Sequence, residues 1–189
     1  MRTVERRSKP GRPAPRRAAG IAVRIAGRVE IPAYVRDHES FRQWARSPDC
    51  PEKLRVAFYN NGLWVDADME QFFAHNAVKA AFSVVLLPLA LSMKLGRFAI
   101  EGMLFTNPRV GVSTIPDGFL ISYESVRTGR LRKVRGKKNG CVEYEGTADM
   151  VLEVVSDSSE EKDLLDLARL YWEAGVIEYW LADARTDPP

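Results

Sequence analysis

The feature that most constrains this chain is a carboxylate set inside an apolar, strand-like run, ADMVLEVVS (148–156). Side chains alternate along a strand, so Met150, Leu152 and Val154 face one way, and Asp149, Val151, Glu153 and Val155 the other. A helical pattern follows from about Ser159 to Ala174 with Gly175 at its C-terminal cap, and IEYWLADA then reads as a final strand. A central strand in such a setting is covered on both faces. An unpaired ionised carboxylate there would cost several kcal/mol, so Glu153 must be ion-paired, metal-bound or near the mouth of the sheet.

A second acid narrows the choice. Pro116-Asp117 opens its own β-prone run, FLIS, which again places a carboxylate where the chain enters a sheet. Pro-Asp alone is common in turns. Two carboxylates on neighbouring strands near one edge form a site for a hard cation such as Mg²⁺. Such an ion polarises a phosphate and lowers the pKa of a bound water.

The order of elements supports this picture. LRVAFY and LWVDA flank Asn60-Asn61-Gly62, a strong hairpin signal, and Asp66 or Asp68 is placed to cap a helix beginning near Met69. That helix continues through Ala80–Met93, with Pro88 expected to kink it or end its first half, and Gly96 expected to close it. The run is shorter than the roughly 20 apolar residues of a membrane span and reads as a buried helix, with no membrane partner. Residues 97–106 read as one strand, and Arg127 to Lys138 as a basic loop containing Arg130, Arg132, Lys133, Arg135 and Lys137. That loop is either a grip for a nucleic-acid backbone or an ordinary solvated hairpin. Trp172, Tyr179 and Trp180 have spacings that suit core packing. Strands alternating with helices in this way indicate an α/β fold, a mixed sheet flanked by helices.

Charge divides the chain. Residues 1–28 carry nine Arg or Lys against Glu5 alone, so a total of +3 leaves the remainder mildly acidic. With few large apolar groups, 1–28 is expected to be a disordered basic tail, either an arm for phosphates or a start without function. Residues 29–53 form an approach segment and 54–189 the folded domain. No apolar core follows the tail arginines, which argues against a secretory signal. Cys50 and Cys141 form no ligand motif, so a reduced, cytoplasmic setting is expected.

Taken together, PDGFLIS, DMVLEVVSDSS, EKD and LYWEAGVIEYWLADAR resemble the Uma-two family of restriction-endonuclease-like proteins in the PD-(D/E)XK superfamily. The resemblance spans about Leu54–Arg185 and is most specific over Asp149–Arg185. It implies a restriction-endonuclease-like fold and a Mg²⁺-dependent endonuclease, with Mn²⁺ as a substitute, DNA as partner and a homodimer as an open option. Asp117 and Glu153 would bind the metal, and Glu70 on the first core helix would assist. Glu70 also reads as a solvated first-turn acid, and His75 as structural. Two positions where family patterns place lysine hold Val155 and Leu167 instead, leaving Lys162 as the candidate cation. Lys162 could equally pair with Asp166 one turn on, and Ser158 with Glu161 fits a capping box. The chain stops at LADARTDPP where further strands are expected. These departures support the alternative of a catalytically impaired nuclease fold that binds nucleic acid or another partner.

Overall fold

The computed structural model describes residues 23–25, 29–51, 54–66, 71–136 and 140–185. The chain divides into two units, Met1–Val35 and Arg36–Pro189. In the first, β1 (Val23–Ile25) pairs antiparallel with β2 (Val29–Ile31). The rest of the basic tail lies outside the described residues.

The second unit begins with α1 (His38–Ala45), capped by Asp37, whose carboxylate accepts the Ser40 amide. Phe41 and Trp44 on its inner face are wholly buried. Next come β3 (Arg55–Tyr59) and β4 (Gly62–Asp66), joined by a two-residue turn. Asn60 and Asn61, with φ of 49° and 57°, make that turn, and Gly62 belongs to the strand. The following helix starts later than expected. A wide turn, Phe72–Asn76, capped by Gln71, leads into α2 (Ala77–Ser92). Pro88 sits inside α2 without ending it.

The expected single strand over 97–106 is two strands in different sheets, β5 (Gly96–Ile100) and β6 (Leu104–Asn107), separated at Gly102. Gly96 is thus the first residue of β5, not a helix terminator. Then come β7 (Val112–Thr114), β8 (Gly118–Ser122) and α3 (Tyr123–Arg127). Part of the expected basic loop is ordered as β9 (Leu131–Arg135), paired antiparallel with β10 (Cys141–Gly146). Last come β11 (Met150–Val154), a wide helical segment Lys162–Leu167 running into α4 (Ala168–Ala174), and β12 (Glu178–Ala182). Gly175 ends α4 in the left-handed region at φ 80°.

The class is α/β as expected, with the strands of the second unit shared between two mixed sheets. One has the order β4-β3-β7-β6-β10-β9, the other β12-β11-β8-β5. The four-stranded sheet has a helix on each face. On one face Ala90 of α2 packs with Phe98, Met150 and Leu152, and on the other Leu170 and Tyr171 of α4 pack with Val151 and Phe119. The alternation of β11 read from the sequence is therefore the alternation seen.

Two packing expectations fail. The helix through Ala80–Met93 is not a buried one. Only Ala90 of α2 is buried, while Val84, Val85, Leu89 and Leu91 are exposed. The helical span Phe72–Ser92 is 21 residues with mean hydropathy 1.5, so shortness does not set it apart from a membrane helix. Apolar composition does not secure burial here, because α2 packs on the sheet along one side alone. Trp172 is likewise no core residue: it is 79% exposed, on the side of α4 turned from the sheet, and Trp180 is also exposed.

Candidate active site

Asp117 stands immediately before β8, and Glu153 is the fourth residue of β11, its neighbour in the sheet. Gly118 makes close packing possible here, because a Cβ at that position would lie 2.3 Å from the Phe98 ring. The Asp117 amide reaches Glu153 Oε2 at 3.4 Å, and the Val154 amide donates to Asp117 Oδ2 at 2.8 Å. Each carboxyl group is thus held against the backbone of the other's strand.

Their electrostatic surroundings differ. Burial alone would raise the Asp117 pKa, but the His75 side chain, the Val154 amide and the charge of Lys79 hold it at about 2. His75 Nε2 is 3.5 Å from Oδ2, and Arg55 Nη2 and Lys79 Nζ are 3.2 and 3.5 Å from Oδ1. Arg55 and Lys79 are also shared with Glu101, at 3.6 and 2.9 Å. Glu153, 2% exposed, is pushed up to about 8 by burial, against the pull of Lys162. Its direct partners are the Tyr171 hydroxyl, donating to Oε1 at 2.9 Å, and the Asp117 amide. Tyr171 is in turn 2.8 Å from Thr114 Oγ1, which fixes its hydroxyl.

Lys162 is brought to this place as the first residue of the wide helical segment. Its ammonium lies 3.1 Å from Asp163 Oδ1 rather than pairing with Asp166, which instead accepts from Asn60 at 2.8 Å. Burial would lower the Lys162 pKa, but the charges of Glu153, Asp163 and Asp117 raise it. Burial raises that of Asp163. The polar side chain at this helix entrance is Ser159, bonded to the Ser156 amide at 2.9 Å and to Asp163 at 2.5 Å. No capping box through Ser158 and Glu161 forms among the described residues. Val155 and Leu167 are both wholly buried. Glu70 lies outside the described residues.

A cleft of about 350 Å³ opens over Asp117, lined also by Arg55, His75, Ser159, Lys162 and Asp163; the buried Glu153 is not among its lining residues. Arg55, Lys79, Asp163 and Tyr171 were not singled out as site residues in the sequence. Asp163 and Tyr171 lie in the EKD and LYWEAGVIEYWLADAR segments that carry the resemblance, whereas Arg55 and Lys79 left no signal. His75, read as structural, touches the site carboxylate. Three basic-loop arginines are occupied: Arg127 by Glu124 at 2.7 Å, Arg132 by Glu145 at 3.0 Å, and Arg130 by Asp149. Lys137 and Lys138 lie outside the described residues.

Carboxylates from two adjoining strands thus stand near a lysine from the next helical segment. Residues 38–187 match the model of Uma2, described as "Putative restriction endonuclease". The chain belongs to the Uma2 family. The same fold occurs in the crystal structure of a "putative nuclease belonging to DUF820" from Anabaena variabilis, at 15% identity and a TM-score of 0.55, covering 77% of this chain and 72% of that one. Among curated proteins no match was found.

The donor set can be weighed for a metal. Among the described residues no three His, Cys, Asp or Glu side chains form a ready-made cage. The two carboxylates nevertheless fit a hard cation, because Glu153 is a buried acid met by a hydroxyl and an amide rather than by a full counter-charge. At Asp117 an incoming ion has to compete with Arg55 and Lys79.

Proposed function

We propose that this Uma2 chain is a divalent-metal-dependent endonuclease that hydrolyses DNA phosphodiesters in the cleft lined by Asp117 and Lys162, with Glu153 on the strand beside Asp117. The observation that carries the reading is the buried, under-compensated Glu153 held against the Asp117 backbone. Asp117 and Glu153 would hold Mg²⁺ or Mn²⁺, which supplies Lewis-acid polarisation of the phosphate and a more acidic water. Tyr171 orients Glu153, and His75 with the Val154 amide orients Asp117. Lys162 keeps a positive charge near Glu153 and in the lining of the cleft, suited to developing negative charge on phosphate. Arg55 and Lys79, once released from Asp117, offer two further cations to the strand's backbone.

Plasmid and single-stranded DNA incubated with Mg²⁺ or Mn²⁺ test this. Removing a metal ligand forfeits several kcal/mol of transition-state stabilisation, so Asp117→Ala and Glu153→Ala should each lose about a thousandfold in rate. Unchanged cutting by both variants would assign the activity elsewhere.

The cations already on Asp117 favour a second reading, a nuclease fold that binds nucleic acid without cleaving it. Its signature is retained DNA binding with no divalent-dependent cleavage, and no heat of Mg²⁺ or Mn²⁺ binding by calorimetry.

A further inference from the structure

A second cavity, of about 370 Å³, adjoins the first and shares Asp66, Ser158, Ser159 and Lys162 with it. Its volume falls in the usual range for small-molecule sites. One wall is aromatic. In the β3–β4 register Arg55 pairs with Asp66, Ala57 with Trp64 and Tyr59 with Gly62, so these six residues share one face of the hairpin. Arg55 reaches Asp117 from that face, which therefore looks toward the site.

Trp64 lies flat on Tyr59, with ring centroids 5.0 Å apart and planes inclined by 5°. Tyr59 is buried, so the indole is backed by a fixed ring and its remaining surface is open, 51% exposed. A tryptophan kept for packing behaves otherwise, as the wholly buried Trp44 shows. Gly62 contributes space: a Cβ there would stand 3.2 Å from Trp64 Nε1. The hairpin is also braced against the opposite wall, since Asn60 donates to Asp166 and accepts from Arg169, both at 2.8 Å. The spacing between the indole and the Lys162–Asp166 helical turn is thus tied down at the hairpin tip.

The chemistry of the walls selects the occupant. Glu161 and Asp166 line this cavity beside Lys162, so a phosphate is disfavoured while an uncharged planar ring is not. Every nucleobase offers a face for stacking, but only when it is unpaired or turned out of a duplex. We propose that Trp64 is a stacking platform for an unpaired nucleobase next to the site, so that the substrate is single-stranded or locally opened nucleic acid. This rests on the nuclease reading for the placing of the phosphate in the first cavity, while the stacking itself is measurable without cleavage.

The test uses the full chain without divalent metal and fluorescein-labelled oligonucleotides read by anisotropy: a single strand, the same strand with abasic sites, and a duplex. Loss of one stacked base weakens binding by about tenfold or more. Trp64→Leu should lose that factor on the single strand, Trp64→Phe should recover most of it, and the duplex should be bound alike by all three proteins. Wild type should bind the abasic strand no better than Trp64→Leu binds the intact one. Equal single-strand affinity in wild type and a folded Trp64→Leu overturns the proposal. Should Trp64→Leu fail to fold, equal wild-type affinity for abasic and intact strands overturns it equally, and so does absence of binding to any strand. Metal-dependent plasmid cleavage separates the two ideas: cleavage with no stacking effect leaves the nuclease standing, and a stacking effect with no cleavage leaves the platform standing.

Discussion

Two glutamates, one in each sheet, are almost equally hidden from solvent: Glu143 on β10 is 0% exposed and Glu153 on β11 is 2% exposed. Their company is different. Arg42 Nε and Arg46 Nη1 lie 2.8 and 3.1 Å from the Glu143 carboxylate. Arg42 also pairs with Glu145, which Arg132 holds from β9 at 3.0 Å. This network ties α1 to β10 and β9 with charges of both signs matched inside it. Glu153 receives a tyrosine hydroxyl and one amide, and its lysine acts from further off. A buried acid with its own arginines joins elements together. A buried acid without them keeps a high proton affinity and an unmet demand for positive charge, which is the state a site requires.

That contrast can be broken most directly by deleting each acid. Glu143→Ala leaves Arg42 and Arg46 facing no carboxylate at that position, and removal of one partner from a buried pair costs about 3–5 kcal/mol. Urea unfolding should show that loss with the slope unchanged. A similar loss for Glu153→Gln would erase the distinction between the two glutamates.

A smaller effect with a definite sign is expected from pH. Glu153 in the folded chain keeps its proton up to about 8, whereas its ordinary value is 4.5. Between those values the unfolded chain has released a proton that the folded chain retains, so stability falls as pH rises through the window and levels off above it. Glu153→Gln removes this slope and should be the more stable protein at pH 9, by on the order of 1–4 kcal/mol, as when buried charge is exchanged for a neutral group. Asp163, raised in the same direction, leaves a residual slope in the variant. Asp117, lowered to about 2, acts oppositely, its stabilisation disappearing only as pH falls through that value. Thermal midpoints from pH 5 to 9 measure the difference, and parallel curves for the two proteins would mean that Glu153 has a counter-charge in solution.

How much of this could be read from residues depends on range. The alternation of β11 and the Gly175 cap come from local patterns, and the structure shows both, while the nearness of Asp117 to Glu153, 36 residues on, is expected from two separate runs and the family resemblance. The cations on Asp117 come from neither source. Arg55 enters from 62 residues away and sits in an ordinary strand pattern, and Lys79 lies on a helix whose apolar neighbours drew attention to burial. Glu143 passed unnoticed because its arginines are about a hundred residues distant, Arg42 being 101 residues away. The exposure of α2 escaped for a related reason, since hydropathy records what a helix could bury and not how much partner surface the fold supplies.

The finest test of the contrast is at Lys162, which stands between the two descriptions. Lys162→Met removes the charge that draws the Glu153 pKa down, so the pH window of declining stability should extend upward. If the lysine is only a counter-charge, its loss makes the carboxylates more attractive to a divalent ion and leaves cleavage intact. If it also meets the phosphate, cleavage should fall by about tenfold, below the hundred- to thousandfold of a fully enclosed donor because this side chain is partly open to solvent. Titration calorimetry with Mn²⁺ beside plasmid cleavage reads both quantities in one variant. Tighter metal binding with undiminished cutting would place Lys162 with Arg42 as a residue that balances charge, and slower cutting despite unweakened metal binding would place it with Glu153.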